Sequence, residues 1–193
     1  MDIQRPVSKQ PIPDNAKRVF QGVLFDVYQW EQRLYDGSIT IFEKVKRKDT
    51  VNIIPITTDG KILLSQQEQP GVQPFIGSFG GIIDKGETPL GAAQRELLEE
   101  TGYESDDIIF WNAVQPSEKI DWAIYTFIAR HCTKKQDQKP ESGEKIKLLY
   151  LTFEKFLSYV ADEKYRDTEV AIKLLRVIKN KNELEKVKKL FFS

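Results

Sequence analysis

The chain has 193 residues, enough for one domain with a substantial core. Its 29 basic residues balance its 29 acidic ones, which excludes the basic excess of a general nucleic-acid or membrane-surface binder. A single cysteine, Cys132, cannot form an internal disulfide, and a single histidine, His131, excludes a multi-histidine metal site.

No apolar run approaches the ~20 residues that span a bilayer. The start, Met1-Asp2-Ile3-Gln4-Arg5, is polar with no apolar stretch behind it, so no signal peptide is expected. A reducing, cytoplasmic setting is expected, with neither nucleic acid nor membrane as partner.

Residues 1–17 read as a flexible arm, because Pro6, Pro11 and Pro13 interrupt any regular element. Residues 18–47 read as an N-terminal β-region. A strand is expected over 19–30, rich in aromatic and β-branched residues, and a second over 39–45, with a turn at Asp36-Gly37 between them. Residues 48–180 form the main domain. It opens on a hairpin, 51–56 and 62–67, around Asp59-Gly60, and its nearly continuous apolar runs place it centrally. Residues 66–79 are a Gln-, Pro- and Gly-rich connection. Strands are expected at 108–114, 122–129 and 146–151, with a turn at Pro116-Ser117 and a polar, mobile loop over 133–145. Helices are expected at 153–161 and 168–178, the second with Val170, Leu174, Leu175 and Ile178 in register. Residues 181–193 read as a charged tail, a frayed helix ending in Leu190-Phe191-Phe192, which could serve as a dimer contact. Strands with helices inserted and appended predict an α/β (α+β) fold, a mixed sheet packed between helices.

The informative stretch is 81–103. Thr88 is a good N-cap, Pro89 suits the first helical position, and Gly102 can close the helix. Leu90, Ala93 and Leu97 fall on one side, and Glu96, Glu99 and Glu100 on the other. Like charges at these spacings weaken a helix by a few tenths of a kcal/mol each, roughly. Glu99 and Glu100 also lie at the end where the macrodipole disfavours negative charge. Arg95 offers one guanidinium to three carboxylates, whereas a hard cation such as Mg²⁺ prefers oxygen ligands. On the helix alone, a solvated acidic face is the commoner explanation. The loop before it shifts the balance: Gly80, Gly81 and Gly86 allow close approach of a ligand, and Glu87 is placed to hold Arg95.

Gly81, five residues, Glu87, seven residues, Arg95-Glu96-Leu97, one residue, Glu99-Glu100, one residue, Gly102 and apolar Tyr103 fill every position of the Nudix box. The chain therefore resembles the Nudix hydrolases. The resemblance implies an α/β/α sandwich and Mg²⁺- or Mn²⁺-dependent hydrolysis of a diphosphate linked to a nucleoside. It implies that Glu96, Glu99 and Glu100 hold the metal, with the Gly80 carbonyl as a further ligand. It also implies that Glu87 and Arg95 brace the loop.

The chain is most similar to the group that cleaves ADP-ribose and related nucleoside diphosphate sugars. That likeness implies a homodimer built through residues 18–47, with Tyr28 and Trp30 stacking on the base; core packing explains these two aromatics equally well. Gln67-Glu68-Gln69 departs from the Gln-x-Arg of that group, and Gly77-Ser78-Phe79-Gly80-Gly81 departs from its Glu-x-Pro-Ala-Gly. Gln67, Gln69 and Phe79 are thus expected to meet substrate in an altered way. The family's general base often lies in the loop before the last strand, where this chain offers Glu144 and Glu141. Glu144 is preferred because Ile146 anchors its strand; Glu118 and Asp121 rank lower. Two other readings stand beside this one: a nucleoside triphosphate sanitiser of the same family, and a non-catalytic nucleotide-binding regulator.

Overall fold

The computed structural model describes residues 3–140 and 142–193, so Glu141 lies outside the described residues. Three N-terminal strands, β1 (Lys17–Gln21), β2 (Asp26–Arg33) and β3 (Ile39–Lys46), form an antiparallel sheet. The expected strand over 19–30 is in fact two. The chain folds back at 22–25, where the Gly22 amide donates to the Phe25 carbonyl at 2.8 Å. Val23, Leu24 and Phe25 look strand-like by composition, yet all three are exposed in this turn. The Asp36-Gly37 turn forms as predicted, with the Ser38 amide bonded to Asp36 Oδ1 at 3.0 Å.

The segment expected as a loose arm is tied down. Arg5 makes a two-pronged pair with Asp49, at 2.7 and 2.9 Å, and reaches Asp121 at 3.0 Å. Lys44 is buried and gives its ammonium to Ser8 Oγ and the Gln10 carbonyl, each at 2.6 Å. An ammonium is buried only when it is hydrogen-bonded, so these contacts hold the arm over the sheet.

The main domain follows with β4 (Thr50–Thr57), β5 (Ile62–Gln69), β6 (Val72–Gly77), α1 (Pro89–Thr101), β7 (Tyr103–Glu104), β8 (Asp107–Val114), β9 (Ile120–Asp121), β10 (Ile124–Lys134) and β11 (Lys145–Leu151). Helices α2 (Phe153–Val160), α3 (Thr168–Val177) and α4 (Lys181–Phe192) close the chain. Strand β6 lies in the stretch expected as a connection; it turns back on β5 through Pro70-Gly71, and that turn together with Pro74 inside the strand hid it. Strand β9 adds to the N-terminal sheet beside β3.

Period-two alternation sorts the central strands onto two faces. Ile53, Leu63, Phe127 and Ala129 pack with Ala92, Ala93 and Leu97 of α1. Ile54, Ile62, Leu64 and Ile128 pack with α2, α3 and α4. The result is helix, mixed sheet, helix. The C-terminal stretch is part of this core. Phe191 is fully buried against Phe153, Phe156 and Trp111, with ring centroids 5.7–5.8 Å apart. Burying such a ring contributes ~1.5–3 kcal/mol. Of the three residues that could have been a dimer contact, Phe191 is thus inside the protein, and Leu190 and Phe192 are half-buried against the same cluster.

One departure from a regular sheet builds the site. Strands β4 and β5 leave a shared turn and pair only at Ile56 and Ile62. Beyond that point they splay. β10 runs parallel to β4 on one side, and β11 and β6 flank β5. The loop before α1 fills the gap: Phe79 bridges to Ile53 and Ile82 to Thr50.

Candidate active site

Helix α1 starts and stops where its sequence predicts. Thr88 Oγ1 accepts from the Gly91 amide at 3.1 Å, and Gly102 ends the helix in a left-handed conformation. Its apolar side docks on the sheet, so Glu96, Glu99 and Glu100 face the loop that fills the splayed strands.

Gly80 is the tightest point of that loop. Its φ of +147° is available to glycine, and a Cβ there would stand 2.0 Å from the Val51 carbonyl oxygen. The close approach lets the Gly80 amide donate to Glu100 Oε2 at 2.7 Å. Glu100 is only 5% exposed. Burial pushes its carboxyl up to about 8, against the pull of the Gly80 amide, and the nearby charges of Glu96, Glu144 and Asp167 add to the rise.

Arg95 organises the rest. Its Nε and Nη2 donate to Glu87 at 3.1 and 3.2 Å, and Nη2 also donates to the Ile82 carbonyl at 3.0 Å. Its Nη1 meets Glu96 at 2.7 Å and Glu99 at 3.2 Å. Glu87 in turn accepts from the Asp84 amide at 3.1 Å, and its bond with Arg95 holds its carboxyl below the usual range. The guanidinium thus ties loop to helix.

Arg95, Glu96, Glu99 and Glu100 line a cleft of about 300 Å³ with Gly80, Gly81 and Glu144, and Lys48 and Lys139 stand at the same cleft. Glu144 stands just before β11 and accepts from Gln69 Nε2 at 3.0 Å. Among the described residues no three acidic, His or Cys side chains are already gathered into a metal cage. The donor set still fits a hard divalent cation. It is all oxygen, and Glu100 is a buried carboxylate whose strongest charged neighbours are all negative.

A second cavity, of about 280 Å³, borders the same two glycines. It is lined by Arg47, Asn52, Trp122, Arg166, Asp167 and Glu169, among others. Asn52 Nδ2 donates to Glu169 at 2.6 Å, and Asp167 accepts from the Ser78 amide and hydroxyl, each at 2.6 Å. Burial raises both carboxyls, Glu169 to about 7.

Of the residues singled out in the sequence, the structure brings Gly80, Arg95, Glu96, Glu99, Glu100 and Glu144 to one cleft, with Glu87 joined through Arg95 and Gln69 through Glu144. Others lie elsewhere. Phe79 is fully buried in the core behind the loop, and Gln67, 6% exposed, gives its amide to Ser65 Oγ at 3.0 Å; neither is open to a ligand. Trp30, also 6% exposed, packs on Phe42, and Tyr28 lines a groove with the N-terminal arm. Neither aromatic lines the acidic cleft. Glu118 and Asp121 pair with Lys9 and Arg5. The second cavity escaped the sequence reading. Its one legible signal was Asn52, a polar residue inside an apolar run.

Comparison with known proteins defines the class. The NUDIX domain family matches residues 46–174, and the chain belongs to that family of hydrolases. A solved structure described as that of an ADP compounds hydrolase shares the fold, with a TM-score of 0.70 over 91% of this chain and 95% of the other at 21% identity. Among individual relatives, the chain is 27% identical to the ADP-ribose pyrophosphatase of Bacillus subtilis (strain 168), over 80% of this chain and 85% of that one. It is 29% identical to the ADP compounds hydrolase NudE of Escherichia coli (strain K12), over 70% and 72%. It is likewise 27% identical to the methanol dehydrogenase activator of Bacillus methanolicus, over 81% and 86%. Among the described residues no helix is long and apolar enough to cross a membrane.

Proposed function

We propose that the chain hydrolyses the diphosphate linkage of a nucleoside diphosphate sugar, with ADP-ribose the leading candidate, to a nucleoside monophosphate and a sugar phosphate. The carrying observation is the acidic cleft, where buried Glu100 stands near the charges of Glu96 and Glu144 beside the glycine loop. Mg²⁺ or Mn²⁺, held by Glu96, Glu99, Glu100 and the Gly80 carbonyl, would neutralise the diphosphate and the charge that develops on the leaving phosphate. Glu144 takes the proton of a water that attacks one phosphorus. The bond from that phosphorus to the bridging oxygen breaks, and the leaving phosphate carries away the electron pair. Gln69, donating to Glu144, orients the base. Arg95, held by Glu87 and Ile82, keeps the glycine loop against the helix.

A homodimer formed through residues 18–47 accompanies this reading. Its support is the exposed apolar surface of that sheet: Val19, Phe20, Ile39 and Ile41 are each more than half exposed. A cytoplasmic setting suits the lone buried thiol of Cys132. A regulator without catalysis has one observation in its favour, the similarity to a protein named as an activator. The intact acid set, Glu96, Glu99 and Glu100 together on one helix, argues the other way, since a protein without catalysis has no need of clustered like charges. The test is a panel of nucleotide sugars and triphosphates incubated with Mg²⁺, with products identified by mass. Release of nucleoside monophosphate and sugar phosphate supports the reading; turnover of triphosphates alone assigns the sanitiser, and no turnover assigns the regulator.

A further inference from the structure

The chain between β10 and β11 is docked on the end of helix α1. The last carbonyls of an α-helix have no partner within the helix. The last turn of α1 carries no basic side chain to meet them. The loop supplies the donors instead. The Lys139 amide donates to the Glu99 carbonyl at 2.7 Å, and the Lys135 and Gln136 amides donate to the Gly102 carbonyl at 2.8 and 3.1 Å. The seat is tight: a Cβ on Gly102, whose φ is +75°, would stand 2.1 Å from the Gln136 carbonyl oxygen. Gln138 adds its side chain to this set. Its Nε2 donates to the Glu100 carbonyl at 2.6 Å and reaches the Ile146 carbonyl at 3.4 Å.

We propose that Gln138 is a positioning residue for the hydrolysis, bracing the strand that follows Glu144 against the helix that carries Glu96, Glu99 and Glu100. The inference rests on the hydrolase reading and on Glu144 as its base. The two acceptors of Gln138 single it out. One belongs to Glu100, whose side chain lies in the acidic cleft. The other belongs to Ile146, two residues beyond Glu144. A primary amide carries two N–H groups on one nitrogen, so it can serve both carbonyls at once. Pairing with β5 fixes β11 within the sheet, and Gln69 on β5 holds Glu144. Those contacts tie the base to its own sheet. The Gln138 bridge ties the same stretch to α1, and Lys139 and Pro140, which follow it, line the cleft between them.

The distance from base to acidic helix is what the reaction is sensitive to. A base acts within ~2.6–3.2 Å of the atom whose proton it takes, and misplacement by ~1 Å can cost ~10²-fold in rate. Glu144 immediately precedes β11, so any shift of the first residues of that strand carries the base with it. Ile146 also packs with Leu148 in the apolar cluster beneath α1. Apolar contact is non-directional and leaves the strand free to slide. The hydrogen bonds of Gln138 supply the direction.

The test is a double-mutant cycle. Gln138→Met keeps length and bulk and removes both N–H groups. It is made alone and together with Glu144→Gln, and each protein is checked for its fold by circular dichroism. On the nucleotide sugar that wild type turns over best with Mg²⁺, Gln138→Met should lower kcat about 10- to 100-fold, with KM and calorimetric Mg²⁺ affinity within about twofold of wild type. In the Glu144→Gln background the same change should add less than about twofold, because misplacing a base that is already gone costs nothing further. A Gln138 that only caps α1 would cost the same factor in both backgrounds, and that result overturns the proposal. Full activity of Gln138→Met, or Mg²⁺ affinity that falls in step with kcat, overturns it too. Hydrogen exchange of the metal-free protein reads the brace without turnover. The amides of residues 144–147 should exchange several-fold faster in Gln138→Met, and unchanged exchange there overturns the proposal. Wild type that is inactive on the whole panel removes the hydrolase reading, and full activity of Glu144→Gln removes the base; the inference falls with either. An active wild type whose rate depends on Glu144 leaves Gln138 as the only part under test.

Discussion

Replacing Glu100 by glutamine should stabilise the metal-free protein and abolish most of its activity. The reason is burial. The Glu100 carboxyl is 5% exposed and is pushed up to about 8 from an ordinary 4.5, chiefly by desolvation. Between those pH values the folded chain holds a proton that the unfolded chain has released. Stability therefore falls as pH rises from about 4.5 to about 8, and the contribution is full only below that window. One pH interval corresponds to about 1.4 kcal/mol, so at pH 7 the cost is on the order of 3 kcal/mol. Glutamine keeps the shape and can still accept from the Gly80 amide, but it has no charge to bury. For a chain of this size ~1 kcal/mol moves Tm by ~2–4 °C, so the variant should melt several degrees above wild type at pH 7 in EDTA. That advantage should shrink toward pH 5. Added Mg²⁺ should reverse the order, since saturating the site a hundredfold contributes ~2.7 kcal/mol to wild type and much less to the variant. Thermal melts at pH 5, 7 and 8, with and without Mg²⁺, measure all of this. A variant that melts below wild type in EDTA at pH 7, or that turns over substrate at the wild-type rate, would refute the argument.

Other expectations follow from the same geometry. Glu144→Gln should lower kcat by ~10²–10⁴-fold with Mg²⁺ affinity near wild type, measured by steady-state kinetics and metal titration; Glu141→Gln should do much less. Equal and full activity in both would move the base elsewhere. Phe191→Ala should cost ~3–5 kcal/mol in urea unfolding, because the ring is fully buried among other aromatics; a cost under 1 kcal/mol would mean that α4 is not part of the core. Ile41→Glu, on the exposed face of β3, should convert a dimer to a 22.4 kDa protomer in light scattering at micromolar concentration. Wild type that is already a monomer would sink the dimer.

How much of this was legible in the chain depended on how local the signal was. Helix α1 was readable to its caps because Thr88, Pro89 and Gly102 act through their own backbone neighbours. The hairpins at Asp36-Gly37 and Asp59-Gly60 were readable for the same reason. Two elements were misread where local chemistry points the wrong way. Val23-Leu24-Phe25 has β-forming residues in a turn, and Pro74 sits in a strand, β6, that pairs with β5. The C-terminal helix looked like a tail because its charges dominate its composition. Only its packing reveals that Phe191 completes an aromatic cluster begun by Phe153 and Phe156 about thirty-five residues earlier.

The candidate site divides along the same line. The acidic cleft is written in one loop and one helix, and Arg95 connects groups at positions 82, 87, 96 and 99, so spacing alone predicts it. The arginine cavity has no such linear form. Arg47 stands at the end of the N-terminal sheet, Trp122 before β10, and Arg166 before α3. What joins them is the parallel pairing of β10 on β4, which sets Ile124 beside Thr50 and lets Trp122 Nε1 donate to Thr50 Oγ1 at 3.0 Å. The splaying of β4 from β5 does the remainder. Had the hairpin paired along its full length, β5 would occupy the edge of β4 that Phe79 and Ile82 now take, and Gly80 could not approach Val51. The glycine loop is thus a wall common to both cavities. A substitution that thickens this wall, such as Gly80→Ala, would set a Cβ against the Val51 carbonyl and should weaken Mg²⁺ binding in a calorimetric titration, whereas Glu96→Gln should weaken it without moving the loop.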